Sequence, residues 1–251
     1  MSARRLAAAA LVALALPAVA YVLPTAAVLR KMGERRASLS LETLEVTGTV
    51  QADGPAAERL AQLAGLPATG GRVTVPARLL VKVPRRCRLE LAPADVPEAQ
   101  RPFVALRDAR LSGRLAEVPA AVALVRAACA LLAVPTAGDA AVPYGAALQA
   151  RGVAVAETSL GRFDGRLAYV IGGRARDARP LAFVDKETFQ PMRLVSREGG
   201  TLLDVRLVGW GSPTGGDWFP RAIEVFEGES PRLRLTTETA AANPKLADTL
   251  F

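Results

Sequence analysis

The side chains able to do chemistry in this sequence are few and widely scattered. Histidine is absent from all 251 residues, which removes Ser-His-Asp and Cys-His nucleophiles and most zinc sites. The carboxylates Glu42, Glu45, Asp95, Asp108, Asp185, Glu187 and Glu224 offer no spacing that sets two acids and a third ligand on one face. Ser159 and Ser196 have no neighbouring base to activate them. The glycine-rich run "GWGSPTGGDW" lacks both the lysine and the strand-loop-helix setting of a phosphate loop. Neither catalysis, nor a metal, nor a cofactor is expected.

Two cysteines remain, Cys87 and Cys129. In an exported chain such a pair often bridges, and the closed loop would stabilise the fold by about 4 kcal/mol. Cys129 lies in an apolar segment and Cys87 in a basic run with Arg85, Arg86 and Arg88, which suits free thiols equally well. Both readings stand. The basic run itself reads as a solvated turn, with anionic headgroups or an acidic partner as the alternative.

The elements around these residues are mostly strands. Over residues 151–251 apolar and polar residues alternate: Leu167, Tyr169 and Ile171; Leu181 and Phe183; Leu203, Val205 and Leu207; Ile223 and Val225; Leu233 and Leu235. A period of two gives each strand one face toward a core. Asp164-Gly165, Gly172-Gly173, Gly199-Gly200, Gly215-Gly216 and Gly228 punctuate the runs, so successive strands should form an antiparallel meander. Earlier in the chain, residues 38–50 alternate as a first strand, and 72–91 read as a hairpin or bent strand broken at Pro84. Residues 56–66 suit a short amphipathic helix or ordered loop, and 103–115 a weak strand or helix. Thr25 is placed to cap a helix carrying Val28, Leu29 and Met32, whose last turn Gly33 weakens.

Particular residues in the meander also resemble a known family. Asp185 and Lys186 end a strand and are followed by a turn and the Pro191-Met192-Arg193 strand. Trp218, Phe219 and Pro220 open a later strand, and "NPKLADTLF" closes the chain. In these features the last hundred residues are similar to the bacterial lipoprotein-carrier superfamily (LolA/LolB-like). The resemblance implies an α+β fold, a curved antiparallel β half-barrel with helices closing its concave face. It also implies a non-catalytic periplasmic chaperone for lipoprotein transport that binds acyl chains, with an inner-membrane transporter or outer-membrane receptor as partner. It assigns no gating role to any arginine here.

Residues 1–20 read as a signal peptide: Arg4 and Arg5, an apolar run over 6–16, Pro17, and small residues at Ala18 and Ala20. An uncleaved inner-membrane anchor over 6–29 is the competing reading. The lipobox cysteine of the LolB-like branch is missing. Residues 21–251 then form a single lipid- or lipoprotein-binding domain, expected to be a monomer. The net charge of +8 comes mainly from arginines that are scattered and lack aromatic partners, so nucleic acid is not expected as a partner.

Between residues 92 and 143 the alternation stops, and "PAAVALVRAACALLAVP" stands out. Pro119 suits the first turn of a helix and Pro135 ends it. The segment is too short to span a bilayer, carries Arg126, and is apolar nearly all round, so it must be buried on several sides. It reads as a core helix plugging the concave face and also as a lid that yields to a lipid. The inward lining is assigned to Leu79, Val81, Leu167, Tyr169, Ile171, Leu181, Phe183, Val205, Leu207, Ile223 and Val225, and the plug to Leu124, Val125, Leu131 and Leu132. Two other functional readings remain beside the carrier: an envelope interaction or sensing module that binds a protein partner, and a structural domain whose sheet is simply filled by its helix.

Overall fold

Alternating runs become strands wherever a tight turn reverses the chain. In the computed structural model, which describes residues 22–67, 70–94 and 96–251, Asp164-Gly165 and Gly199-Gly200 adopt left-handed backbone angles (φ 50°, 74° and 57°, 89°). These are the two-residue turns whose twist matches that of the paired strands. Residues 1–20, read above as a signal peptide, and Asp95 lie outside the described residues.

The strands are β1 (Thr43–Asp53), β2 (Arg72–Lys82), β3 (Arg86–Leu91), β4 (Phe103–Arg107), β5 (Arg110–Ser112), β6 (Thr158–Phe163), β7 (Arg166–Ile171), β8 (Leu181–Asp185), β9 (Pro191–Glu198), β10 (Thr201–Val208), β11 (Ala222–Glu227) and β12 (Ser230–Ala242). The helices are α1 (Thr25–Ala37), α2 (Pro55–Ala64), α3 (Pro119–Leu132) and α4 (Ala141–Gln149). One antiparallel sheet runs β5-β4-β3-β2-β1-β12-β11-β10-β9-β8-β7-β6. Every spatial neighbour is also a sequence neighbour except at the centre, where β1 pairs with β12. Among the described residues nothing pairs with the outer sides of β5 and β6, so the sheet curves without closing: an α+β half-barrel.

Two local expectations are corrected. Thr25 does not cap α1, because Pro24 occupies that position; the Thr25 hydroxyl instead meets that of Thr158 in β6. Gly33 is a packing contact and not merely a weak turn. A Cβ there would come within 2.1 Å of the Ala140 Cβ, so the glycine lets α1 lie against the start of α4.

The register resolves which residues share a face. Val46 faces Leu79, Leu79 faces Leu89, Leu89 faces Val104, and across the centre Val205 faces Val225 while Ile223 faces Leu235. These buried side chains belong to one continuous core together with Tyr169, Ile171 and nearly all of α3. A smaller cluster on the opposite face holds Ala168, Val170, Leu181, Phe183, Met192 and Val195.

Leu181 and Phe183 therefore do not line the concave face as expected. β8 is buried on both sides, so its alternation carries no contrast between inside and outside. Pairing settles the matter: Ile171 faces Ala182 and Tyr169 faces Val184, which places Ala182 and Val184 in the main core. Leu167 is corrected as well. It shares the parity of Tyr169 but sits beside the β6–β7 turn and is 41% exposed.

Candidate functional site

The concave face is occupied by α3. An alanine-rich sequence gives this helix a slim profile, Pro119 fits its first turn, and Pro135 follows its end. From Ala120 to Leu132 every residue except Arg126 is buried. Contacts run to β2, β3 and β4 on one flank and to β9, β10, β11 and β12 on the other. Leu124, Val125, Leu131 and Leu132 are each at most 2% exposed. Leu79, Val81, Tyr169, Ile171, Val205, Leu207, Ile223 and Val225 all belong to the core that this helix completes.

The attachments of α3 are concentrated in its C-terminal half. Cys129 is disulfide-bonded to Cys87 of β3, with Cα atoms 5.7 Å apart, so of the two readings of the cysteines the structure takes the bridge. Arg126 leaves the groove to pair with Glu198, which also accepts from Arg151 at 3.3 Å. Past the last turn no glycine takes up the free carbonyls, and tertiary groups do so instead. Tyr144 Oη donates to the Leu131 carbonyl at 3.3 Å, Arg36 Nη2 to that of Leu132 at 3.2 Å, and the Arg85 amide to that of Ala133 at 2.8 Å. At the other end Glu117 meets Arg59 in an exposed pair, and Val118 makes only local backbone bonds.

Arg36 and Tyr144 form a buried pair under this C-terminal anchor. Burial lowers the Arg36 guanidinium to about 10, with Tyr144 acting in the opposite sense. Burial likewise raises the Tyr144 hydroxyl to about 12, against the influence of Arg36. Arg36 is 8% exposed; it donates to the Leu132 and Trp218 carbonyls. A cation at a helix C-terminus is favoured by the aligned peptide dipoles.

Two cavities open beside α3. One, of about 330 Å³, lies against the Arg126, Cys129 and Ala130 stripe and is bounded by Arg85, the β4–β5 turn, and the Ala147, Ala150 and Arg151 side of α4. The second, of about 300 Å³, lies at the opposite end beside Pro119 and Ala120 and reaches Pro55, Arg59, Leu203 and Arg232. Among the described residues no three potential metal ligands gather, and no helix is long and apolar enough to cross a membrane.

The family-like motif residues turn out to be structural. Asp185 is 1% exposed; its side chain accepts from the Glu187 and Thr188 amides at 2.9 and 2.7 Å and pairs with Arg166 at 2.8 Å. Phe219 is fully buried, and the Pro220 carbonyl accepts from the Thr237 hydroxyl. Sequence reasoning missed Arg36, Tyr144, Arg151 and Glu198 as fixings of α3. Only Arg126 carried a signal, as the lone charge in an apolar helix.

An open sheet wrapped around a buried helix defines the fold class: an α+β half-barrel. No family model matches the sequence, and neither does any curated protein. Solved structures do. A LolA superfamily protein from Nitrosomonas europaea aligns over 91% of this chain and 97% of its own at 13% identity, with a TM-score of 0.50. A DUF1329 family protein from Desulfovibrio piger aligns over 91% and 98% at 12% identity (TM-score 0.42), and MucB in complex with MucA(peri) over 89% and 57% at 15% identity (TM-score 0.28). At such identities the likeness is one of fold.

Proposed function

We propose that this chain is an exported, monomeric carrier. It takes an acyl chain of a lipid or lipoprotein into the half-barrel when the Pro119 end of α3 swings away from the sheet. The observation that carries this reading is the one-sided attachment of α3: disulfide, ion pairs and capped carbonyls all lie from Arg126 onward, while apolar packing alone holds the first two turns. In this reading residues 1–20 direct export, the body works in the periplasm, and a membrane transporter or receptor supplies and collects the cargo.

Magnitudes support partial rather than complete displacement. Burial of Val122, Leu124 and Val125 is worth about 5–9 kcal/mol together, at about 1.5–3 each. A sixteen-carbon chain gains about 12 kcal/mol at about 0.8 per methylene. Such a ligand can replace the free end of α3 but not the twelve buried residues and the disulfide together. Native mass spectrometry of envelope-purified protein, with extraction of what it holds, tests the reading. An acyl-bearing adduct is expected, and protein that stays ligand-free after incubation with fatty acids and phospholipids sinks it.

The alternative, a module that binds a protein partner, draws on the outer edge of β6, which no described residue pairs with and to which a peptide could add a strand. Co-purification of one specific envelope protein with an otherwise empty groove would favour it.

A further inference from the structure

The cavity at the fixed end of α3 carries more positive charge than the apolar groove or the anchoring of the helix requires. Three guanidinium groups, from Arg85, Arg126 and Arg151, border about 330 Å³ of space, and Leu106, Ala130 and Ala147 supply an apolar wall. Glu198, 4% exposed, is shared between Arg126 and Arg151. The other carboxylate on the lining, Asp108, is exposed and already lies 3.8 Å from Arg107 outside the cavity. Arg85 makes no ion pair among the described residues, so two positive charges at this cavity lack a counter-charge. The Nε of Arg126 is buried without a hydrogen-bond partner among those residues. Burial, and then the nearby Arg126, lower the Arg151 guanidinium, with Glu198 only partly offsetting them. A further anion would relieve both arginines.

We propose that this cavity binds a phosphate monoester carried on a small apolar body, its oxygens held by Arg85, Arg126 and Arg151 and its apolar part lying on Leu106, Ala130 and Ala147. Guanidinium forks match phosphate oxygens geometrically, and a monoester carries a charge of about −2 near neutral pH, equal to the uncompensated charge of the site. The site is distinct from the groove beneath α3. It stands whether or not the groove takes an acyl chain.

Isothermal titration of the purified chain with hexyl phosphate, inorganic phosphate and hexyl glucoside, joined by flotation with phosphatidate vesicles, tests it. Hexyl phosphate is expected to bind at least tenfold more tightly than either comparison compound. Arg85→Asn and Arg151→Gln should each weaken it about tenfold, the usual effect of losing a charged hydrogen bond. Arg85 is exposed and has φ 51°, a conformation that asparagine tolerates, so its variant should melt where the parent does. If Arg151→Gln fails to fold, Arg85→Asn still decides. Binding of vesicles in preference to hexyl phosphate, lost in Arg85→Asn, supports the site with a lipid headgroup as the source of the phosphate. Equal binding of hexyl glucoside, or full affinity in Arg85→Asn, overturns the anion site. Inorganic phosphate binding as tightly as hexyl phosphate overturns the apolar half of the ligand, and no binding by any probe overturns the whole.

Discussion

Arg36 Nη2 donates to the Leu132 carbonyl at 3.2 Å, so a buried cation on the first helix ends the helix that fills the groove. The same guanidinium reaches the Trp218 carbonyl at 2.9 Å, tying α1, α3 and the loop before β11 to one charge. Replacing it by an apolar side chain of similar length removes the cost of burying a charge but leaves two carbonyls unpaired. Arg36→Met is therefore expected to lower stability by about 1–2 kcal/mol, read as the shift in urea midpoint. An unchanged or raised midpoint would show that the cation contributes nothing to the anchor.

The Cys87–Cys129 bridge closes a separation of 42 residues and holds α3 to β3. Reduction, or the paired Cys87→Ala and Cys129→Ala replacement, should cost about 4 kcal/mol in equilibrium unfolding. With the helix less restrained, uptake of a fluorescent fatty acid should become faster by stopped-flow fluorescence. A slower rate in protein that remains folded would contradict the swinging-helix reading.

Val205 is fully buried in the core that α3 completes, whereas Leu167 is 41% exposed although both were assigned to the lining. Val205→Asp places an unpaired charge there and should destabilise by more than about 3 kcal/mol. Leu167→Asp should stay within about 0.5 kcal/mol of the parent. Circular-dichroism melts of the two variants check the assignment, and a reversed order would mean that the faces are inverted.

Asp248 near the C-terminus receives Lys82 Nζ at 2.7 Å and lies 2.5 Å from Arg86 Nη1. Hydrogen bonds from these two groups lower its carboxyl from 3.8 to about 2. The shift is downward, so the stabilisation is complete above the ordinary value and disappears as pH falls through about 2. Amide protection factors in the closing segment, which remove the intrinsic pH dependence of exchange, should be high at pH 5 and fall between pH 4 and 2, with Asp248→Asn poorly protected throughout. Equal protection in the variant and the parent at pH 5 would deny the contact any role.

Most strands, their meander and the buried helix after Pro119 were legible because each rests on a local signal: period-two alternation, turn glycines, or a proline-bounded apolar run. β6 and α4 carry no such signal, and residues 103–115, which hold β4 and β5, suit a strand or a helix. The face of β8 was not legible either. Leu181 and Phe183 alternate with Ala182 and Val184, all four of them apolar and buried, so only cross-strand register separates inside from outside. The anchors of α3 were hidden for a different reason. Arg36 lies 96 positions from Leu132 and nothing local distinguishes it from the other arginines, while Arg126, the lone charge of its helix, gives no hint of Glu198 72 positions away.

The pairing of β1 with β12 puts the two ends of the sheet-forming sequence side by side in its middle. Synthesis must therefore reach Ser230–Ala242 before the central ladder exists at all, and each half waits for the other with an open flank. A chain cut short before Ser230 would lose its keystone rather than its margin, leaving two unjoined sheets with raw edges.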